Sequence, residues 1–227
     1  MKKLMTVFLV LIAGMWIFST QANAGKPFEG VITYKITYPD SKASESQMAM
    51  YPKVLIVSVK GDKSRTDISM AGMNTVEITD YKEKMSVTLL NMMGQKYAIK
   101  KTLSDMEKEA AEVGKPSVEL QAETKVIAGY TCKKAIVTVN NDGAKSTFEV
   151  FYCPELGSKL INFSDPIYKD IDGTLMEFSM IQNGMTMKIT ASSIEKKSLP
   201  EKDFQIPADY TITTVDEMKS KFGGGNE

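Results

Sequence analysis

GYTCKKAIVTVNNDGAKSTFEVFYCP, residues 129–154, decides the fold. It reads as one β-hairpin. Asp142-Gly143 is a strong turn signal, because a type I′ turn needs positive φ at both central positions and glycine adopts it without strain. With those two residues as the loop, Asn141 opposes Ala144, and counting outward sets Cys132 opposite Cys153. That pair falls on a non-hydrogen-bonded position, where Cα atoms lie about 4.5 Å apart, within reach of a disulfide. The same register puts Ala135, Val137, Val139, Phe148, Val150 and Tyr152 on one face. Lys134, Thr138, Thr147 and Glu149 share the other face with the cysteines. Turn, cysteines and alternation agree, which marks a real element. For the cysteines, two alternatives to a bridge remain: inert buried thiols, or a redox pair. No C-x-x-C occurs, which weighs against the redox pair.

Outward from the hairpin, the first 24 residues read as an address. Lys2 and Lys3 precede an apolar run from Leu4 to Phe18, and Ala22-Asn23-Ala24 is a small-x-small cleavage site. An uncleaved anchor is the rival reading, but the run is short for a bilayer span of roughly 20 residues. No Cys follows the cut, so a lipoprotein is not expected. The expected product is periplasmic or secreted, begins at Gly25 and has no integral membrane span. The expected organisation is a signal peptide over 1–24, one β-rich domain over 25–222 and a loose tail over 223–227.

Basic and acidic side chains number 28 each, so removing Lys2 and Lys3 leaves an acidic excess of two. That balance argues against a nucleic-acid partner, which would call for a basic face. The chain has no His, and its one Trp, Trp16, leaves with the leader. Without His, a Ser-His-Asp or Cys-His arrangement cannot be built, and the commonest metal ligand is missing. The sequence offers no catalytic set, no metal site and no cofactor motif; it is not read as an enzyme.

The remaining segments read mostly as strands. Phe28, Ile32, Tyr34, Ile36 and Tyr38 alternate with Glu29, Thr33, Lys35 and Thr37. Ser41 to Gln47 reads as a polar loop and Met48 to Val59 as a strand, with Pro52 marking an edge or bulge. Short strands with polar turns then follow to Ile99, an antiparallel meander. One helix interrupts it. Thr102 or Ser104 caps it, Leu103, Met106, Ala110 and Val113 form an apolar stripe, and Gly114 and Pro116 end it. It is either plain core packing or a lid. Val118 to Val126 alternates again. Pro154 to Asp172 reads as a loop or short helix, a second lid element. A second hairpin turns at Asn183-Gly184 and sets Met180 opposite Met187 and Phe178 opposite Ile189, with Met176 on the same face. Phe204 to Tyr210 reads as a closing strand or extended clip, and Thr214 with Glu217 as the capping box of a C-terminal helix.

Methionine is the compositional oddity, with 16 in the chain, of which only Met1, Met5 and Met15 lie in the leader. Thioether clusters can hold Cu(I), but M-x-M in a strand is also what any pair of core residues looks like. A third reading is a surface that accepts varied apolar partners, a use to which flexible, polarizable Met is suited. On that reading the lining is Met176, Phe178, Met180, Met187 and Ile189, with Val137, Phe148 and Val150 from the first hairpin and Met106 from the helix. The expected ligand is a lipid or other hydrophobic molecule. The competing expectation is an envelope protein with a filled core that works through a protein partner, with Ile136 and Phe151 as scattered surface contacts.

Four motifs carry a family resemblance: FEGVITYK (28–35), VKGDKSR (59–65), GYTCKK (129–134) with FYCPELG (151–157), and FQIPADY (204–210). In that order they are similar to a family of secreted bacterial proteins described as a domain of unknown function. That family resembles the periplasmic lipoprotein carriers LolA and LolB in fold. The resemblance implies a mainly β (α+β) domain, an unclosed antiparallel β-barrel of about ten to eleven strands with one or two helices over its open face. The arginine that governs lid opening in the carrier has no counterpart here, since Arg65, the only Arg of the chain, sits in a different motif.

Overall fold

The computed structural model describes residues 27–70, 73–92, 94–141, 144–182 and 184–222. The expected leader, the expected turns at Asp142-Gly143 and at Asn183, and the expected tail at 223–227 lie outside the described residues.

The alternating segments become strands β1 (Gly30–Thr37), β2 (Val54–Lys60), β3 (Lys63–Met70), β4 (Met73–Asp80), β5 (Met85–Met92) and β6 (Gln95–Lys101). Helix α1 (Glu45–Met48) follows β1, and helix α2 (Leu103–Val113) follows β6. The chain continues through β7 (Ser117–Ile127), β8 (Tyr130–Asn141), β9 (Ala144–Cys153), β10 (Thr174–Gln182), β11 (Met185–Lys196), β12 (Thr211–Thr214) and helix α3 (Val215–Phe222). All twelve strands belong to one sheet, in the order β12-β6-β5-β4-β3-β2-β1-β11-β10-β9-β8-β7. The sheet does not close, so β7 and β12 are its edges.

Both hairpin registers match the turn arithmetic. Asn141 opposes Ala144 and Lys133 opposes Tyr152, while Phe178 opposes Ile189 and Met180 opposes Met187. Thr102 caps α2 in a capping box with Asp105. Glu217 accepts from the Thr214 backbone N–H while Thr214 Oγ1 accepts from that of Glu217.

Three readings need correction. The strand count among the described residues is twelve, and the last, β12, pairs parallel to β6. It reaches that edge because the C-terminal segment crosses the sheet rather than turning back on it. The polar stretch before β2 holds α1, nucleated by a Ser44–Gln47 capping box. β2 starts at Val54 rather than Met48, because Pro52 has no N–H for a ladder. Cys132 and Cys153 are both buried, as free thiols here. The register places them; joining them is an oxidation that folding alone does not perform.

Two glycines are fixed by close approach. A Cβ on Gly30 would overlap the Glu195 carbonyl oxygen of β11. Gly173 sits at φ 151°, and a Cβ there would lie 2.8 Å from the Cys153 carbonyl carbon and oxygen. Only glycine lets the chain re-enter the sheet at these two points.

The sheet buries different faces at its two ends. From β1 through β11 to β8 the concave face is buried, with Ile32, Tyr34, Val137, Val150, Met176 and Ile189 in one cluster. Residues 154–172, which include 3₁₀ turns at Pro154–Leu156 and Lys159–Asn162, fold over that face. From β4 to β6 the convex face is buried instead: Val76, Ile78, Val87, Leu89 and Ala98 lie under Ile206 and Tyr210 of the C-terminal crossing. The crossing is held by residues of the quoted motifs. Arg65 pairs with Asp67 at 2.7 Å and donates to the Asp203 carbonyl. Glu29 accepts from the Leu199 backbone N–H at 2.8 Å, a hydrogen bond that holds its carboxyl below the usual range. Lys60 bridges Glu29 and Glu201.

Candidate functional site

The candidate site forms where the concave face of β1–β3, β10 and β11 meets the segment 154–172 above it. That roof is pinned. Tyr168 is fully buried, meets Phe148 and Phe178 edge-on at 6.3 and 5.7 Å, and donates its hydroxyl to the Ser179 carbonyl. Asn162 donates its amide to the Ile171 and Gly173 carbonyls, both at 2.9 Å. Asp165 Oδ1 accepts from the backbone N–H of Ile167 and of Tyr168, the turn geometry a short acidic side chain favours. Phe163 meets Tyr81 edge-on at 6.0 Å.

Between sheet and roof lies a cavity of about 320 Å³, at the small end of the roughly 300–1,000 Å³ usual for ligand pockets. One wall is apolar: Ile36, Leu55, Val57, Ile68, Phe178, Met180, Met187 and Ile189. The other end is polar: Ser64, Thr66, Glu77, Tyr81, Asn162, Ser164, Asp165 and Thr174. The register orders these ends. Ser64 opposes Val59 and Thr79, whereas Ile68 opposes Leu55 and Thr75, further along the same strands. The polar end therefore lies under the roof. The apolar end reaches the rim, where Met180 is 43% exposed.

The polar end is out of balance. Burial pushes the Asp165 carboxyl above the usual range, with Glu77 pushing the same way. Tyr81, also shifted upward by burial, hydrogen-bonds Ser64. The Thr174 hydroxyl is buried without a hydrogen-bond partner among the described residues. Among the described residues no group of three or more His, Cys, Asp and Glu could hold a metal.

Of the lining residues expected from the sequence, Phe178, Met180, Met187 and Ile189 come together at this cavity. Val137, Val150 and Met176 are fully buried in the core beside it, and Phe148 packs under Tyr168. Met106 is buried on α2, which meets β8 and contributes nothing to the cavity lining. The cover is the 154–172 segment. Leu55, Val57 and Ile68 were readable as strand residues, but not as cavity wall. Asp165 and Glu77 carried no signal, since they meet only through the roof.

The convex face is occupied differently. Glu177 is buried between Lys125 and Lys188, at 2.9 and 3.1 Å. Its burial raises and its two lysine partners lower its pKa, with a net lowering. Phe151 is buried beneath Lys125 and Lys134, whose ammonium groups lie 5.2 and 5.7 Å from its ring. Cys132, next to this ladder, has its thiol pushed up to about 11 by burial and by Cys153, so it is not a nucleophile at neutral pH. Further along, Val54 and Ile56 are exposed on this face, and the exposed Met70 and Met73 at the strand ends line the same open groove, with Met50 exposed close by in sequence.

The profile of one protein family, described as "N-glycanase peptide, N-terminal domain", matches residues 36–221. No curated protein matches the sequence. Solved structures to which this chain is similar include LprF from Mycobacterium bovis, at 11% identity and TM-score 0.31, covering 81% of this chain and 90% of that one. Another is a β-barrel-like protein of the unknown-function domain family DUF1849 from Brucella abortus. It is 7% identical with TM-score 0.38, covering 76% of this chain and 99% of that one. No helix among the described residues is long and apolar enough to cross a membrane.

Proposed function

This chain belongs to the N-glycanase peptide N-terminal domain family, and from that premise we propose that it is an exported binding module that takes a lipid or acyl chain between sheet and roof. The observation that carries this is the cavity of about 320 Å³ with a continuous apolar wall from Leu55 to Ile189. Protein interiors pack to crystal density, and a core meant only for stability would fill that space. A half-barrel holding one chain under a cover is the arrangement that the likeness to LolA and LolB implies. Here the cover is pinned by Asn162 and Tyr168. Arg65 is committed to Asp67 and serves the C-terminal crossing.

The test is uptake of a neutral fluorescent apolar probe. Met180→Glu puts a charge at the rim, where the side chain is already partly exposed, so it should abolish uptake and leave the thermal midpoint nearly unchanged. Unchanged uptake in a folded Met180→Glu protein would sink the reading. Hydrolysis of an N-glycosylated peptide by the chain alone would overturn the non-enzymatic part of it.

Export implies removal of residues 1–24 and an oxidising compartment, in which Cys132 and Cys153 join. Intact mass before and after denaturing reduction reads that bond as two hydrogens. Two free thiols in protein recovered from the envelope would refute it.

A second reading has its own observation. The exposed Val54, Ile56, Met70 and Met73 line one open groove at the ends of β2, β3 and β4, the kind of apolar surface that marks a protein partner. On that reading the chain is an envelope interaction protein, and Ile56→Lys should abolish partner capture without touching probe uptake.

A further inference from the structure

The cavity has two carboxylates and no cation. Among its lining residues are Glu77 and Asp165, and neither Lys nor Arg; the chain has no His at all. The one nearby guanidinium, Arg65, opposes Ile78 on the convex side and is engaged by Asp67. Across the sheet Glu77 meets Thr66 on β3 and Thr88 on β5, so no strand neighbour supplies a positive charge. No ion pair to Glu77 or Asp165 forms among the described residues. Elsewhere this protein pairs its semi-buried carboxylates: Glu177 has two lysines.

Thr174 supplies an independent sign. It lines the same end, is 3% exposed, and its hydroxyl has no partner among the described residues. A buried hydroxyl without a partner costs stability, and such a group in a native fold calls for an explanation.

Resting on the binding reading above, we propose that the cavity's ligand is a single-chain amphiphile with an ammonium end, seated polar end first between Glu77 and Asp165. An ammonium group offers three donors and no acceptor, which suits two carboxylates with the hydroxyls of Ser64, Thr66 and Thr174 around them. The tail then lies along Leu55, Ile68 and Ile189 and leaves past Met180. A free carboxylate or phosphate at that end would meet like charge.

Displacement of the neutral fluorescent probe by decylamine, decanol and decanoate at neutral pH separates the claims. Decylamine should displace the probe at about tenfold lower concentration than decanol, a ratio worth about 1.4 kcal/mol, and decanoate should be weakest. Glu77→Gln is isosteric, and Asp165→Asn keeps the acceptor used by Ile167 and Tyr168. Each should shrink the preference for decylamine over decanol, with thermal melts confirming the fold. Equal displacement by decylamine and decanol would overturn the ammonium assignment and leave the apolar cavity standing. So would a decylamine preference that survives both variants. Failure of the wild-type protein to take up the probe at all would instead overturn the binding reading on which this one rests.

Discussion

The two ends of the sheet solve one problem in opposite ways. From β8 to β11 the concave face is covered, by residues 154–172. From β4 to β6 the convex face is covered, by the crossing from Phe204 to Tyr210. Alternation of apolar and polar residues looks the same in both regions, because period two fixes that one face is buried and says nothing of which. What decides is the distant segment that arrives to cover it. Between the two covers lie β2 and β3. Their concave residues Leu55, Val57 and Ile68 wall the cavity, and their convex residues Val54 and Ile56 stay exposed. The cavity therefore sits where cover passes from one face to the other.

The sharpest way to break this comparison is to remove the anchor of each cover in turn. Tyr168→Ala deletes a fully buried ring that ties the roof to Phe148 and Phe178. It should cost about 3–5 kcal/mol in urea unfolding and abolish probe uptake along with stability. Leu89→Ala, on the buried convex face, should cost about 2–5 kcal/mol and leave uptake intact in the fraction that remains folded. If Leu89→Ala loses uptake at temperatures where it is folded, the two faces are coupled and the division is wrong.

Electrostatics divides along the same line. Glu177 on the convex face has a lowered pKa. Its carboxylate therefore stabilises the fold above the unfolded value near 4.3, and that contribution is lost as pH falls through the lower folded value. Because both lysine partners are 45% exposed, it should be worth about 1 kcal/mol or less. The difference in urea midpoint between wild type and Glu177→Gln should vanish in acid. Asp165 on the concave side has a raised pKa, so the sign reverses. Its ionisation opposes folding above the unfolded value near 3.9, and the penalty grows as pH rises through the folded value. Asp165→Asn should thus be more stable than wild type at neutral pH and equal to it in acid. Equal midpoints at all pH would mean that Asp165 is solvated in solution.

Much of the fold was legible because its signals are local. Asp142-Gly143 and Asn183-Gly184 fixed two registers, Thr102 and Asp105 fixed the start of α2, and Thr214 with Glu217 that of α3. The site was half legible. Phe178, Met180, Met187 and Ile189 could be placed on one face by counting from a turn. Glu77 and Asp165 could not, because their meeting depends on a roof that has almost no regular structure and is oriented by side-chain bonds from Asn162 and Asp165 itself. The parallel β12 was hidden for a related reason: its partner β6 lies more than a hundred residues away, and no turn links them. Phe151 shows the converse error. Counting put it on the outer face, yet it is buried, because Lys125 and Lys134 extend over its ring.

The smallest expected effect tests what the convex face of β2 is for. Ile56 faces outward between two covered regions, and nothing among the described residues closes over it. A polar replacement at such a position normally changes stability by no more than about 0.5 kcal/mol, and Ile56→Lys should do the same, with probe uptake unaltered. Its side chain would stand opposite Asp67 and Thr33 across the strands, so the added charge has an acid within reach. A loss above about 1 kcal/mol would mean that this face is covered in solution. Unfolding followed at several protein concentrations then names the cover. A midpoint that falls on dilution in wild type, and not in Ile56→Lys, assigns the patch to a second copy of the chain. A concentration-independent loss assigns it to the chain itself, and would move the boundary between the two covers.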